Sequence, residues 1–507
     1  MNPSFSPQHS AAILSEILAQ MRDLVDGSAE LGLLGATLPA SQGRVVSLNL
    51  PPNVNNAHGW YQSMLRAGLA VRHPSAVKGG MVWEPRGVAM LASYHNLVTD
   101  AYKRFGLQEY DFPLLYSERC FAPLDELFPL ANKLLRVHAK AGSAAIGALN
   151  SSGESPIYGY FSGKVFPPTG MFRRARYYRP PHGGDALLRP AEACDVYEAY
   201  QFVAPTTAAI VGAMRSNKEM LDSIFAAIGI RPIWSIRPIW TNNAIMNDLI
   251  LSADAVLPDR RLVQLGAIYL QKDELTNRYK MHRAADSSIE HGRMVVGYCS
   301  RRALTVAVAY AAMQPRGLTL PSAIAPIQVG FVGSPPLGEQ IELLGNALEQ
   351  LGLRCEFVTN AESGRTRSCL ERFASQGIPI SAVLRESKEQ PGLLRASLVE
   401  NDTLCEFRLE PACGDVVARE VFKALSRVDQ RLTARVEGLV SSSFSAMHEA
   451  TSSGAIVTPL AYDHGAVQHL ERSVVGEVIG FLRSGRSQPC VVSGAPTAFV
   501  AYAAPRV

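Results

Sequence analysis

The sequence predicts an α+β fold built around an antiparallel sheet, followed by a smaller α/β domain. Three observations carry that reading. From about Trp60 to residue 320, helical and extended patterns alternate without the strict β–α–β rhythm of a parallel sheet. A proline-bounded stretch, Pro321–Pro326 (PSAIAP), then interrupts the chain. Beyond it the pattern becomes regular: strand Ile327–Val332, helix Leu337–Leu351, strand Arg354–Val358, a helix near Ser368–Ser375, strand Pro379–Leu384 and a hairpin over Leu394–Leu409.

Length and composition bound the rest. At 507 residues, 47% hydrophobic and 19% charged, the chain is globular and long enough for two to four domains. Its formal charge of +4 is too weak to name a nucleic-acid partner. No apolar run approaches the roughly 20 residues of a membrane span. The opening MNPSFSPQHS lacks the basic and apolar segments of a secretory signal, and the eight cysteines form no CxxC pair. Together these features predict a cytoplasmic protein with no metal site of its own.

Ser10 and Gly27 bracket an amphipathic helix over residues 10–26, with Ile13, Leu14, Ile17, Leu18, Met21 and Leu24 on one side. Val45–Leu50 reads as a short strand before the linker PPNVNNAHG. The near-tandem RPIWSIRPIW (Arg231–Trp240) reads as an extended segment, not a repeat. A long helix from about Asp415 to Val440 leads into a final module ending at Val507. The expected division is an extension (1–57), a catalytic domain (58–326), a third unit (327–411), and a helix with a terminal module (412–507).

Trp60–Leu115 contains a WY helix, a VKG turn, a long helix, Gly106 and a strand ending at Pro113. Met171–Phe202 (MFRRARYYRPPHGGDALLRPAEACDVYEAYQF) reads as strand, loop and strand, with Arg173, Ala175 and Tyr177 on one side. Gly297–Pro326 joins a glycine-bearing strand to a small-residue helix through Arg301–Arg302. In order and spacing this set resembles class II aminoacyl-tRNA synthetases, nearest the archaeal and eukaryotic-type prolyl-tRNA synthetases, over about residues 58–507.

The resemblance implies a class II synthetase-like catalytic core, an anticodon-binding-like domain and a prolyl-type C-terminal module. It also implies ATP and Mg2+, a homodimer through Tyr94–Leu115, a small-molecule acid substrate, and tRNA or another acyl acceptor. Arg173 falls at the arginine of the family's F-R-x-E pattern, which meets the α-phosphate, whereas Ala175 stands where the glutamate should be. Arg189 and Glu192 match its R-x-x-E step. Arg301, with Arg302 as the neighbouring alternative, matches the arginine that stacks on adenine. Gln264, where relatives usually carry histidine, and Gly266 fall on the substrate strand Leu262–Tyr269. Relatives carry L-R-P-T-x-E to receive the substrate ammonium; matched to Leu135–Lys140 (LRVHAK), this puts His138 at the threonine and Lys140 at the glutamate. A cation there would repel an ammonium by about 4 kcal/mol at 4 Å and an effective dielectric near 20. In the terminal module only Cys490 matches the cysteines that hold zinc in some relatives, too few for a closed site.

Charge complicates RNA recognition. Residues 327–410 hold twelve acids against eight bases, a poor surface for phosphate. Arg419, Lys423, Arg427, Arg431 and Arg435 then recur every four residues, a broad basic face or a solvated one. Two functions stay open: a divergent acyl-adenylate-forming ligase that does not charge ordinary proline, or a non-catalytic synthetase-like regulatory or accessory subunit. The two core arginines favour the ligase.

Overall fold

The computed structural model describes residues 16, 17, 20 and 43–504, apart from 128–133, 180–185, 191, 239, 241–245, 282–291, 334–337, 359–364, 392, 447–454 and 474–476. As expected, an antiparallel sheet dominates. Its middle runs, in spatial order, through Met171–Tyr178, Glu192–Val203, Arg293–Ser300, Leu262–Gln271, Asn247–Val256 and Ile233–Ile236, each antiparallel to the next. The RPIW segment is thus extended, as read, and supplies a buried strand.

Helices Pro85–Arg104 and Thr207–Ala227 contribute the buried core on the back of this sheet. The second starts where the Thr206 side chain accepts from Ala209 N. Its Ile210, Met214, Leu221, Ile224 and Phe225 follow the helical period and are buried. Glycines let the layers meet: a Cβ on Gly297 would lie 2.1 Å from Asn217 Oδ1, and one on Gly266 would lie 2.3 Å from Tyr298 O and 3.4 Å from the Phe225 ring.

The terminal module does not stand apart. Glu477–Pro489 adds to the free edge of Ile233–Ile236 through Ile236 and Phe481, followed by Pro496–Ala504, Ala455–Pro459 and Phe444–Ala446. With the short strand Gln108–Glu109, parallel to Met171–Tyr178 at the opposite edge, these extensions make one sheet of eleven strands among the described residues. An exposed edge is a template for pairing, and the chain covers it with its own end.

Beyond the Pro321–Pro326 stretch lie strands Val329–Gly333, Cys355–Val358, Ile380–Glu386, Leu394–Glu400 and Cys405–Ala412, close to the expected positions. The expected Val45–Leu50 strand shrinks to Arg44–Val45, paired with Cys405–Glu406. Helix Gly414–Ser443 spans both cores, burying Val421, Leu425 and Val428 in the smaller one and Val436 and Val440 in the larger.

That helix corrects the expected basic face. Arg431 is 4% exposed and pairs with Asp402 at 2.7 Å and with Glu400. Arg427 meets Glu400 at 2.6 Å, and Arg435 meets Asp402 at 3.5 Å. Three of the five cations turn inward to neutralise two buried acids of the neighbouring unit. Of the N-terminal helix, the described Glu16, Ile17 and Gln20 are helical; Ile17 is buried, and Glu16 accepts from Thr207 Oγ1 at 2.9 Å. No helix among the described residues is long and apolar enough to cross a membrane.

Candidate active site

Successive residues of a strand alternate faces, so Arg173, Ala175 and Tyr177 share the buried side of Met171–Tyr178, while Arg174 and Arg176 are exposed. Directly opposite Arg173 stands Glu198. Arg173 is 1% exposed; its Nε donates to Glu198 Oε2 at 3.1 Å and its Nη2 to the Tyr177 hydroxyl at 2.7 Å. Burial works against its charge, but Tyr177, Glu198 and Tyr200 outweigh that and hold its pKa above the ordinary arginine value. The same Glu198 oxygen also accepts from Tyr200 at 3.1 Å and from Tyr177. Arg173 is therefore occupied internally.

Against this cluster packs the segment Asn150–Glu154. A Cβ on Gly153 would lie 1.9 Å from the Tyr200 hydroxyl and 2.5 Å from Glu198 Oε2, so only glycine fits. Glu154 opens helix Glu154–Phe161, and its Oε1 accepts from Gln271 Nε2 at 3.1 Å. Gln271 is itself fixed by the Tyr158 hydroxyl. Three polar atoms within five residues are under-satisfied: Asn150 Oδ1 is buried without a partner among the described residues, and Ser152 Oγ and Glu154 Oε2 are buried with only a weak contact to each other. Buried polar atoms are normally paired, so three together mark a place prepared for something else. Burial, with Glu198 adding to it, raises the Glu154 pKa above the usual carboxylate range. Arg179 sits at the rim, exposed, with Nε donating to Ser151 O at 3.1 Å and its guanidinium 5.7 Å from the Tyr177 ring centre.

A second group lies along the strand ends. Asp195 adopts a left-handed backbone (φ 51°), a conformation aspartate tolerates better than most residues. Its carbonyl accepts from Arg301 N at 3.0 Å, and its carboxylate meets Arg301 Nη1 at 3.2 Å and Arg174 Nε at 2.6 Å. Arg301 lies 5.1 Å from the Trp83 ring centre. Trp83, Arg301 and Arg302 border a cavity of about 60 Å3 with Gly79, Met81 and Leu188. A larger hollow of about 540 Å3 lies elsewhere, between the 321–328 linker and helix Gly414–Ser443, and touches none of these groups.

The expected residues sort as follows. Arg173 and Arg301 stand on the site face, Arg173 sealed and Arg301 open to the cavity. Arg302 is turned inward, with Nε donating to Leu188 O at 2.7 Å and Nη1 to Gln264 O at 2.6 Å; burial lowers its pKa. Arg189 is half-buried, and Glu192 lies opposite Tyr178 with its side chain outside the described residues. Gln264 is spent internally: Oε1 accepts from Tyr298 at 3.0 Å and Nε2 donates to Ser252 at 2.9 Å. Gly266 serves packing against Phe225, not a substrate.

His138 and Lys140 stand apart from the Asn150–Glu154 cluster. They occupy an exposed turn where His138 Nδ1 meets Ser143 O at 2.6 Å. His138 pairs with Ala145, five residues along the returning strand from Asn150, or about 16 Å at 3.3 Å per residue. The structure does not bring Lys140 to the carboxylates. Glu154 was the residue missed. Its signal was Leu149–Glu154 (LNSSGE), which fits L-x-x-S-x-E immediately before an apolar helix. Alternation alone puts Tyr177 beside Arg173; Glu198 and Tyr200 have no such pattern and emerge only from strand pairing.

No family model matches the chain. Among curated proteins it is similar to the proline–tRNA ligase of Pyrococcus horikoshii, 26% identical over 312 residues, covering 57% of this chain and 61% of that protein. The match thus spans less than two thirds of that relative's length. It is also similar to the Methanoculleus marisnigri enzyme of that name, 23% identical over 490 residues, or 87% of this chain and 96% of that protein. Among solved structures, the Giardia lamblia prolyl-tRNA synthetase in complex with prolyl-adenylate superposes with a TM-score of 0.77 at 18% identity, covering 90% of this chain and all of that one. The Cryptosporidium parvum enzyme, complexed with halofuginone and AMPPNP, gives 0.75 at 12% identity, covering 90% and 99%. The chain has the class II synthetase fold of the prolyl-tRNA synthetases and is a divergent relative of the archaeal proline–tRNA ligases.

Proposed function

We propose that the chain is an ATP-dependent, acyl-adenylate-forming ligase that binds an amino acid through Glu154. The carrying observation is the cluster of buried, under-satisfied polar groups at Asn150, Ser152 and Glu154, with the Glu154 carboxylate held only by Gln271 and a weak contact to Ser152, beside the closed Arg173–Glu198 pair. An ammonium has three donors and fits that cluster, and its charge would draw the raised Glu154 pKa down. A substrate carboxylate oxygen would attack the α-phosphorus of ATP, forming one P–O bond and breaking that to pyrophosphate, with no proton transferred. Arg301 at the cavity and Arg179 at the rim are the cations available to neutralise the phosphates.

No group of three or more His, Cys, Asp or Glu residues among those described could hold a metal, so no protein cage is assigned to Mg2+. Magnesium commonly arrives through substrate phosphates and few carboxylates, and it would supply charge neutralisation there. Lys140 no longer argues against proline. Ala175 in place of the F-R-x-E glutamate supports weakened ATP recognition and so a divergent enzyme. The inward Arg427, Arg431 and Arg435, with the acidic third unit, support an acceptor not gripped through an anticodon. A homodimer through the exposed Leu114–Leu115 region belongs to the same proposal.

One observation favours the non-catalytic reading: Arg173 is sealed from solvent. Amino-acid-dependent ATP–pyrophosphate exchange over the proteinogenic amino acids, with Glu154→Gln beside it, separates the two. Exchange that depends on Glu154 supports the ligase; none with any acid supports the accessory subunit.

A further inference from the structure

The floor of the cradle continues sideways into polar groups that adenylation alone does not explain. Arg173, Glu198, Tyr298, Ala267, Ser252 and Ser235 are successive cross-strand partners over six strands, so their side chains share one face. From Tyr298 to Ser235 this face carries a chain of hydrogen bonds. The Tyr298 hydroxyl donates to Gln264 Oε1 at 3.0 Å, Gln264 Nε2 to Ser252 Oγ at 2.9 Å, and Ser252 Oγ to Asp254 Oδ1 at 3.3 Å. At the far end the Tyr502 hydroxyl donates to Asp254 Oδ2 at 2.7 Å and lies 2.9 Å from Ser235 Oγ. Ser235, Ser252, Asp254 and Tyr502 are all fully buried.

Buried polar networks are costly unless every member is satisfied, and satisfied ones fix side-chain position closely. Its near end, Tyr298, is the cross-strand partner of Glu198 at the edge of the Asn150–Glu154 cluster, the cradle of the proposed amino-acid site. The Tyr298 ring stands beside Glu198 and lies parallel to the Tyr269 ring, 5.7 Å away with 1° between planes. We propose that Tyr502, on the last strand, is a positioning residue for the amino-acid cradle, acting through Asp254, Ser252 and Gln264 on the Tyr298–Tyr269 wall. The inference rests on the reading of that cradle as the amino-acid site.

The test uses the full chain and its best substrate from the exchange panel. Tyr502→Phe keeps the ring and its packing while removing the donor, and Gln264→Ala cuts the chain at its middle. Each is expected to raise the KM for the amino acid about tenfold, the worth of one buried hydrogen bond, while the KM for ATP stays unchanged. Acting through one chain, the two should be non-additive, with the double variant no worse than the poorer single. A lowered melting temperature with both KM values unchanged would assign Tyr502 to stability alone and overturn the proposal. So would effects that multiply in the double variant. Wild-type chain inactive with every amino acid would remove the functional reading and this inference together; an active wild type with a neutral Tyr502→Phe removes this inference only.

Discussion

Arg173 and Glu198 face each other on neighbouring antiparallel strands, joined through Nε and Oε2 at 3.1 Å and closed off from solvent. This geometry changes what the F-R-x-E arginine does here. Removing it would leave Glu198 buried without its counter-charge, at a cost of about 3–5 kcal/mol. Arg173→Ala is therefore expected to lower the urea midpoint strongly, and Arg173→Ala/Glu198→Gln to recover part of the loss. Wild-type stability in the single variant would show that the pair is not what holds these strands.

Glu154→Gln should separate function from stability. Burial raises the Glu154 pKa, so the native carboxyl holds its proton more tightly than the unfolded chain does. Stability therefore falls as pH rises from the ordinary carboxylate range through the raised value, because ionisation is penalised only in the fold. The variant should melt higher than wild type at neutral pH and lose that segment of the pH dependence. Its KM for an amino acid should rise roughly 10- to 100-fold with the lost charged hydrogen bond. Parallel melts at pH 4 and pH 7, with exchange kinetics, test both halves.

Arg301→Ala leaves Asp195 paired with Arg174, so no buried charge is stranded. ATP-dependent exchange is expected to drop about 100- to 1,000-fold with little change in melting. Full activity would move the nucleotide away from the Trp83 cavity.

Arg431 joins Glu400 and Asp402 where all three are buried. Arg431→Ala is expected to cost about 3–5 kcal/mol in urea unfolding. Binding of total tRNA in a filter assay should not change, since this guanidinium never reaches solvent. A weakened tRNA complex with unaltered stability would restore the basic-face reading.

Leu114 and Leu115 are each 41% exposed at the end of the Tyr94–Leu115 segment. If they lie in a symmetric interface, Leu114→Glu with Leu115→Glu should convert a dimer to a monomer by light scattering at micromolar concentration. Wild-type chain that is already monomeric would remove the dimer from the proposal.

Much of the scaffold was legible because its signals are local. The strands of the third unit begin and end within a few residues of the expected positions, since alternation and a following glycine are properties of neighbouring residues. Arg173, Ala175 and Tyr177 were placed on one face for the same reason. What was not legible depends on partners distant in sequence. A four-residue spacing of arginines cannot say whether the helix faces water or a sheet; Glu400 and Asp402, 27 and 29 residues before their partners, decide it. Gln264 reads as a ligand until Tyr298 and Ser252 are seen to take both ends of its amide. Glu154 was in reach of pattern reading, but LRVHAK offered a competing match and only burial distinguishes them.

The edge strand Ile233–Ile236 is covered by Glu477–Pro489, and Pro496–Ala504 lies beyond it. A ribosome makes those strands after the rest of the sheet. Until they emerge, the half-built catalytic sheet keeps an open, apolar edge, and closing it requires a contact between segments very far apart along the chain, a slow and aggregation-prone step. Folding of the catalytic core is thus expected to wait until residues 477–504 have been made. A premature stop even slightly before Tyr502 would then act as a defect of the core rather than as the loss of an appendage.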